Sequence, residues 1–336
     1  MTSSRPRILV LPTPDLYHEL FTPAADAVLR DLADVTFNDR DGNWSAADLA
    51  AVIPEFVAVV TGWRSPAITG EVLDAAGRLR LIAHSAGSVK HLLPPAVFER
   101  GIAVTSAAAA LAPAVAEFAL ILVFLGLRPV EKYDRGMREG RWDGPEAFGP
   151  GQEIAEQRIG VVGASFVGRH FVGLVRALGA EVWVYDPYLS IEDAAAIGVR
   201  RADLPELMAH CPIVSVHAPT TPETQHMIGA AELRLLPDNA LLVNTARSWV
   251  IDMDALLAEL QNGRIRAALD VFDEEPLPVD SPFRHLDNVV VTPHIAGATV
   301  QARFRQGDVV VDEIRRFFAG KPLRYGITLE RLAILA

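Results

Sequence analysis

Residues 158–168 read RIGVVGASFVG, and the reading of this stretch decides the fold. RIGVV is a short apolar run of the kind a buried strand requires. It passes directly into Gly163, Ala164, Ser165, Phe166, Val167 and Gly168. The next residues, GRHFVGLVRALG (168–179), carry apolar side chains at helical spacing, which predicts a helix over 168–178. Strand, glycine-bearing turn and helix form the context in which G-x-G-x-x-G cradles a dinucleotide. The first glycine permits a tight turn, the second lets the backbone approach a pyrophosphate, and the third lets helix and strand pack closely. Here the three positions are Gly163, Ser165 and Gly168, so the middle glycine is replaced. The helix N-terminus would offer N–H groups and the positive end of its dipole to the anion. Ser165 adds a Cβ near that anion, and a hydroxyl that can donate to a phosphate.

The next strand, EVWVYD (181–186), ends in Asp186, 18 residues after Gly168. A carboxylate there accepts hydrogen bonds from the adenosine ribose and repels a 2′-phosphate. No Arg or Lys stands in residues 187–190, so NAD is expected rather than NADP. The competing reading is a plain flavodoxin-like turn whose aspartate caps a helix.

Working outward, four more strand-like runs follow: PIVSVHAP (212–219), ALLVNTA (240–246), RAALDVF (266–272) and NVVVTP (288–293). Helices fit between them, as at 254–262. Six strands in parallel βα order make a full dinucleotide-binding domain. Upstream, RILVLP (7–12), DVTFN (34–38), FVAVVTG (56–62), LRLIAHS (79–85) and GIAVTS (101–106) alternate with helical patterns over 23–32, 45–52 and 69–76. That rhythm predicts a second parallel sheet. Residues 131–157 read as a helix end and connector. The tail 299–318 is again helical.

Composition agrees with two α/β domains. The chain has 336 residues, half of them hydrophobic, and a net charge of −11. The acidic balance, with no block of Lys or Arg, argues against a nucleic-acid partner. The single cysteine, Cys211, excludes an intrachain disulfide and suits a reducing, cytoplasmic setting. No signal peptide is expected at the N-terminus. Residues 107–127 are long and apolar enough to span a bilayer, but Pro113 and Glu117 interrupt them. The expected role is a helix buried within or between subunits, with no membrane partner.

Three residues stand at strand ends on the rim where open parallel sheets bind ligands. His294 follows NVVVTP, Arg247 follows ALLVNTA, and Glu275 lies in the DEEP turn after RAALDVF. Each alone is also read as a polar loop residue, a surface arginine or a turn. Together they match the needs of hydride transfer to a ketone. The carbonyl oxygen must receive a proton, which histidine donates near neutral pH. A carboxylate beside the imidazole orients it and stabilises its charged form. An arginine pairs with a substrate carboxylate and polarises the carbonyl.

These residues resemble the D-isomer-specific 2-hydroxyacid dehydrogenases, a family that includes phosphoglycerate dehydrogenases and glyoxylate/hydroxypyruvate reductases. The resemblance covers nearly the whole chain. It is carried by VAEFAL (115–120), GASFVG with Asp186, VSVHAPTTPET (214–224), VNTARS (243–248), ALDVFDEEP (268–276) and VTPHIAG (291–297). It implies two Rossmann-like, doubly wound parallel-sheet domains. A discontinuous substrate domain (1–105 and 298–336) would hold an inserted NAD-binding domain (106–297), with crossing helices at about 108–127 and 299–318.

By motif, the resemblance implies Arg247 as the anchor of substrate carboxylate and carbonyl, His294 as acid/base and Glu275 as its partner. Cofactor contacts are implied for Gly163, Ser165, Phe166, Val167, Gly168, Asp186, His217, Ala218, Pro219, Thr224, Thr245, Ala246, Arg247, Asp270, His294 and Gly297. Asp270 would meet the nicotinamide carboxamide. Backbone N–H groups of Gly87, Ser88 and Val89 would bind the substrate carboxylate, with Arg64 facing the cleft. Lys90, Ser165 and Ser248 depart from the family pattern. The implied activity is NAD-dependent interconversion of a D-2-hydroxy acid and its 2-keto acid, in a homodimer. The alternative is an NAD(H)-sensing, corepressor-like binding protein on the same fold.

Overall fold

The computed structural model describes residues 5–334, which form two compact units. One unit runs to Leu111 and resumes at Ala298, and the other is Ala112–Gly297. In the first, β1 (Arg7–Val10), β2 (Asp34–Phe37), β3 (Ala58–Thr61), β4 (Leu81–His84) and β5 (Ala103–Ser106) are all parallel, in the order β5-β4-β3-β1-β2. β3 and β4 are buried along their whole length, as apolar runs covered on both faces should be. Helices Ala46–Val52 and Gly70–Ala75 begin one residue inside the expected spans. Ser45 and Thr69 stand outside them as N-caps, each accepting from a first-turn N–H.

The second unit carries β6 (Arg158–Val162), β7 (Glu181–Tyr185), β8 (Arg200–Arg201), β9 (Ile213–Val216), β10 (Leu241–Asn244), β11 (Arg266–Leu269) and β12 (Val289–Val291). The order β12-β11-β10-β9-β6-β7-β8 is the dinucleotide-binding arrangement, with its switch point between β6 and β9. The expected six strands are present, and β8 makes a seventh. It is two exposed arginines on the sheet edge, too short and too charged to read as a strand. The connector 131–157 is also more structured than expected, with helices Val130–Arg138 and Pro145–Phe148.

The first unit is completed from the far end of the chain. Helix Val300–Phe318 packs Val310, Val311 and Ile314 into the core around β1, β3 and β4. Its Gln306 donates to Ser85 O at 2.7 Å. The fully buried Glu313 accepts from Arg324 N and Tyr325 N, just ahead of β13 (Gly326–Ile327). β13 then pairs antiparallel with β5.

Helix Ala108–Leu127 is long and apolar enough to cross a membrane by length and composition, with a mean hydropathy of 2.3. Within the second unit Ala116, Ala119, Leu122 and Val123 are buried, whereas Ile121 and Phe124 are exposed.

Each unit holds one histidine whose ring burial forces to stay neutral. His84 (1% exposed) ends β4, and His217 (4% exposed) follows β9. Burial pushes both imidazoles down to about 3, with a smaller contribution from His91 at His84. An unfolded imidazole titrates near 6.5, so between about pH 6.5 and 3 the unfolded chain binds protons that the folded chain refuses. Stability is therefore complete above that window and falls as pH falls through it, by about 2 kcal/mol per ring at pH 5. Thermal unfolding at pH 7 and pH 5 checks this. The loss on acidification should shrink in His84→Asn and in His217→Asn, and an undiminished loss in both would contradict it.

Candidate active site

At the carboxyl end of β6 the chain turns through Gly163, whose φ of +98° is a left-handed conformation suited to glycine. A Cβ on Gly163 would meet Ala218 N at 2.7 Å, and one on Gly168 would meet Gly163 O at 2.0 Å. Both contacts are with backbone, so neither position tolerates a side chain. Helix Phe166–Ala177 starts directly after Ser165, earlier than the expected residue 168. No side chain caps it. First-turn N–H groups such as those of Val167 and Gly168 have no intrahelical acceptor, the arrangement that suits a phosphate.

Ser165 departs from the glycine template without strain, because its φ is −66°. Its hydroxyl donates to His217 O at 3.1 Å, which ties the glycine turn to the loop after β9. Asp186, at the end of β7, accepts from Ala164 N at 2.7 Å and from Tyr188 N at 2.8 Å. It therefore shapes the glycine turn from the position at which a ribose would lie.

The loop after β9 is built as a second wall. His217 N donates to Val162 O at 2.7 Å, and its ring Nε2 pairs with Ser215 Oγ at 2.9 Å. Its Nδ1 is buried without a partner in the described residues, as is Thr245 Oγ1 on the loop after β10. One orphaned polar atom on the loop bonded to the glycine turn, and a second on the loop after the next strand, fit a bound dinucleotide. Ala218 and Pro219 continue the wall. Thr224 donates its hydroxyl proton to Pro219 O at 2.7 Å, so it braces this loop.

The expected triad comes together on the same unit. His294 Nδ1 donates to Glu275 Oε2 at 2.7 Å, and Glu275 Oε1 accepts from Phe272 N at 3.1 Å. The backbone thus aims the carboxylate and the carboxylate aims the ring, leaving Nε2 as the nitrogen that can carry a proton to a substrate. His294 has φ +53°, a conformation that costs a non-glycine residue and that clusters at functional sites. Arg247 is half-buried after β10, and its Nη1 donates to Ala246 O at 2.6 Å. Burial lowers its pKa while the nearby Glu275 carboxylate raises it, and a guanidinium stays cationic under both influences.

Asn244, which the sequence reading passed over, holds that arginine loop in place. It is fully buried, its Nδ2 donates to Arg247 O at 2.9 Å, and its Oδ1 accepts from Ala246 N at 3.0 Å. The available signal was an amide at the end of an otherwise apolar strand. Both oxygens of Asp270 accept from the loop that carries His294. Gly297 lies in the turn that follows His294. Arg64 and the Gly87–Val89 loop (residues 87–89) belong to the other unit. Arg64 is exposed with φ +61° after β3, whereas Gly87 and Ser88 are half-buried after β4 and Val89 is fully buried.

With this geometry in view, comparison with known proteins is specific. Residues 120–296 match the family model described as D-isomer specific 2-hydroxyacid dehydrogenase, NAD binding domain. The chain is 35% identical over 259 residues to a glyoxylate reductase of Korarchaeum cryptofilum, covering 76% of this chain and 77% of that one. It is 33% identical over 286 residues to a D-3-phosphoglycerate dehydrogenase of Archaeoglobus fulgidus, covering 85% of this chain and 54% of that one. The chain spans about half the length of the phosphoglycerate dehydrogenases it matches. Among solved structures, the D-mandelate dehydrogenase of Rhodotorula graminis superposes with a TM-score of 0.83 at 26% identity, covering 96% of this chain and 97% of that one.

Proposed function

The chain belongs to the D-isomer-specific 2-hydroxyacid dehydrogenase family, and from that premise we propose that it interconverts a D-2-hydroxy acid and its 2-keto acid with NAD(H). The observation that carries this reading is the 2.7 Å pair of His294 and Glu275, within electrostatic reach of Arg247 and on the same unit as the glycine turn. The nicotinamide, when bound, supplies or accepts the hydride. Gly163, Ser165, Val167, Gly168, Asp186, His217 and Thr245 would hold the dinucleotide, on the fit of the cradle and the two orphaned polar atoms. In the reductive direction Arg247 binds the substrate carboxylate and draws charge onto the carbonyl oxygen. His294 Nε2 gives that oxygen its proton, and Glu275 stabilises the charged imidazole beforehand.

The decisive measurement is NADH oxidation against glyoxylate, hydroxypyruvate, pyruvate and longer 2-keto acids. Turnover with at least one is expected. Tight NADH binding with no turnover across the panel would favour the sensing protein instead.

Preference for NAD over NADP rests on Asp186. Asp186→Ala should weaken NAD binding by about 10-fold or more, the loss of hydrogen bonds to a charged acceptor. NADP binding should fall less, because the same change removes repulsion from the 2′-phosphate. Kd values from fluorescence titration check this, and equal losses would contradict a ribose role.

The protein is further proposed to be a cytoplasmic homodimer. The single cysteine supports a reducing compartment. Exposed Ile121 and Phe124 on an apolar helix support a subunit contact. Light scattering at micromolar concentration should give twice 36.4 kDa, and a species of 36.4 kDa alone would refute it.

A further inference from the structure

We propose that Asp270 is the positioning residue of His294, a clamp that holds the strained turn from which the histidine reaches substrate. This rests on the reading of His294 as the proton donor and adds to it the device that fixes its geometry.

Asp270 directly follows β11 and is completely buried. Its N–H donates to Asn244 O at 3.0 Å, which fixes it to the neighbouring strand end. Its Oδ1 accepts from Thr292 Oγ1 at 2.6 Å and from Ile295 N at 3.0 Å. Its Oδ2 accepts from Ala296 N at 2.9 Å. These donors bracket His294 on both sides in sequence. A carboxylate offers about four acceptor positions, so three of them serve this one loop.

The arrangement answers a need that the backbone creates. A histidine at φ +53° is costly and persists only where its surroundings over-determine it. Its pairing with Glu275 leaves the ring 44% exposed, too open to be fixed by packing. Charge-assisted bonds to a buried carboxylate are the strong class of hydrogen bond, and three of them converge here. Glu275 therefore orients the ring, while Asp270 fixes the backbone from which the ring projects. One acceptor position remains, which leaves room for the carboxamide contact that the family resemblance implies. The clamp and that contact make different predictions.

The experiment uses the full chain carrying Asp270→Asn, nearly unchanged in shape. The asparagine oxygen can keep one side of the clamp, but its NH₂ confronts an N–H donor on the other. Amide hydrogen exchange at Ile295 and Ala296 should quicken by at least 10-fold. The downfield NMR signal of the His294 Nδ1 proton shared with Glu275 should broaden or vanish. Turnover on the best 2-keto acid should fall about 10–100-fold, with KM for that acid and Kd for NADH each within about 3-fold of wild type. Thr292→Val, which removes one of the three donors, should give a smaller change in the same direction. Unchanged exchange at Ile295 and Ala296 would overturn the clamp. So would a loss confined to NADH affinity, which would assign Asp270 to the carboxamide alone. The exchange and the Nδ1 signal are read without any substrate. A wild-type chain inactive on every keto acid would thus defeat the dehydrogenase reading, while these two measurements still decide the clamp.

Discussion

Replacing His294 by Gln is expected to lower keto-acid reduction by about 10²–10⁴-fold, the usual contribution of a positioned general acid. The amide keeps size and polarity but has no proton to release. Glu275 would keep its bond from Phe272 N, so the carboxylate should remain aimed at the substituted side chain. The ring is partly exposed and packs into no core, so folding should be almost unaffected. Kd for NADH should stay close to wild type, because the glycine turn, Asp186 and the His217 loop are untouched. Steady-state kcat with the best keto acid, measured beside NADH fluorescence titration, provides the check. A rate within a few-fold of wild type would remove His294 from the chemistry.

Replacing Arg247 by Ala is expected to cost about 10²–10³-fold in kcat/KM, the loss seen when a donor to a developing oxyanion is removed. The loss should appear in both parameters. KM rises because the carboxylate loses its anchor, and kcat falls because the carbonyl is no longer polarised. Arg247→Lys should recover only part of the activity. Lysine restores charge, but not the planar fork that binds a carboxylate through two parallel bonds. The Asn244 bonds reach only the backbone of this loop, so they survive both substitutions and the loop should keep its shape. A change confined to KM would leave Arg247 as an anchor alone and deny it a role in polarising the carbonyl.

Six strands of the second sheet were legible because they are short apolar runs that lead into chemically distinctive loops. Residues 158–168 specify turn, cofactor edge and helix together, because Gly163 and Gly168 each answer to a backbone contact. His294, Arg247 and Glu275 were legible for a related reason, since parallel strands deliver successive loops to one edge. What stayed hidden lacks a periodic signature. β8 is two arginines, and β13 is a glycine and an isoleucine. Helix Pro14–Leu20 was also missed, its seven residues opening on Pro14 directly after Pro12 and Thr13. The roles of Asp270 and Asn244 depend on which backbone groups face them across strands, and spacing along the chain does not carry that information. Thr224 shows the opposite case, a motif residue whose hydroxyl is committed to bracing its own loop.

The division of the chain at Leu111 and Ala298 bears on the order in which the molecule is made. Ala112–Gly297 is one uninterrupted stretch, and all seven of its strands leave the ribosome before Ala298 does. It can close its sheet during synthesis, as domains generally do. The other unit emerges first and finishes last. Its five parallel strands must wait for nearly two hundred further residues before helix Val300–Phe318 covers the sheet and β13 closes its edge against β5. For that interval the half-built sheet exposes apolar surface and an open β5 edge, the features that recruit chaperones or invite aggregation. Fusions or truncations at the carboxyl end therefore act on the unit whose strands are made first, whereas Ala112–Gly297 can close its sheet without them.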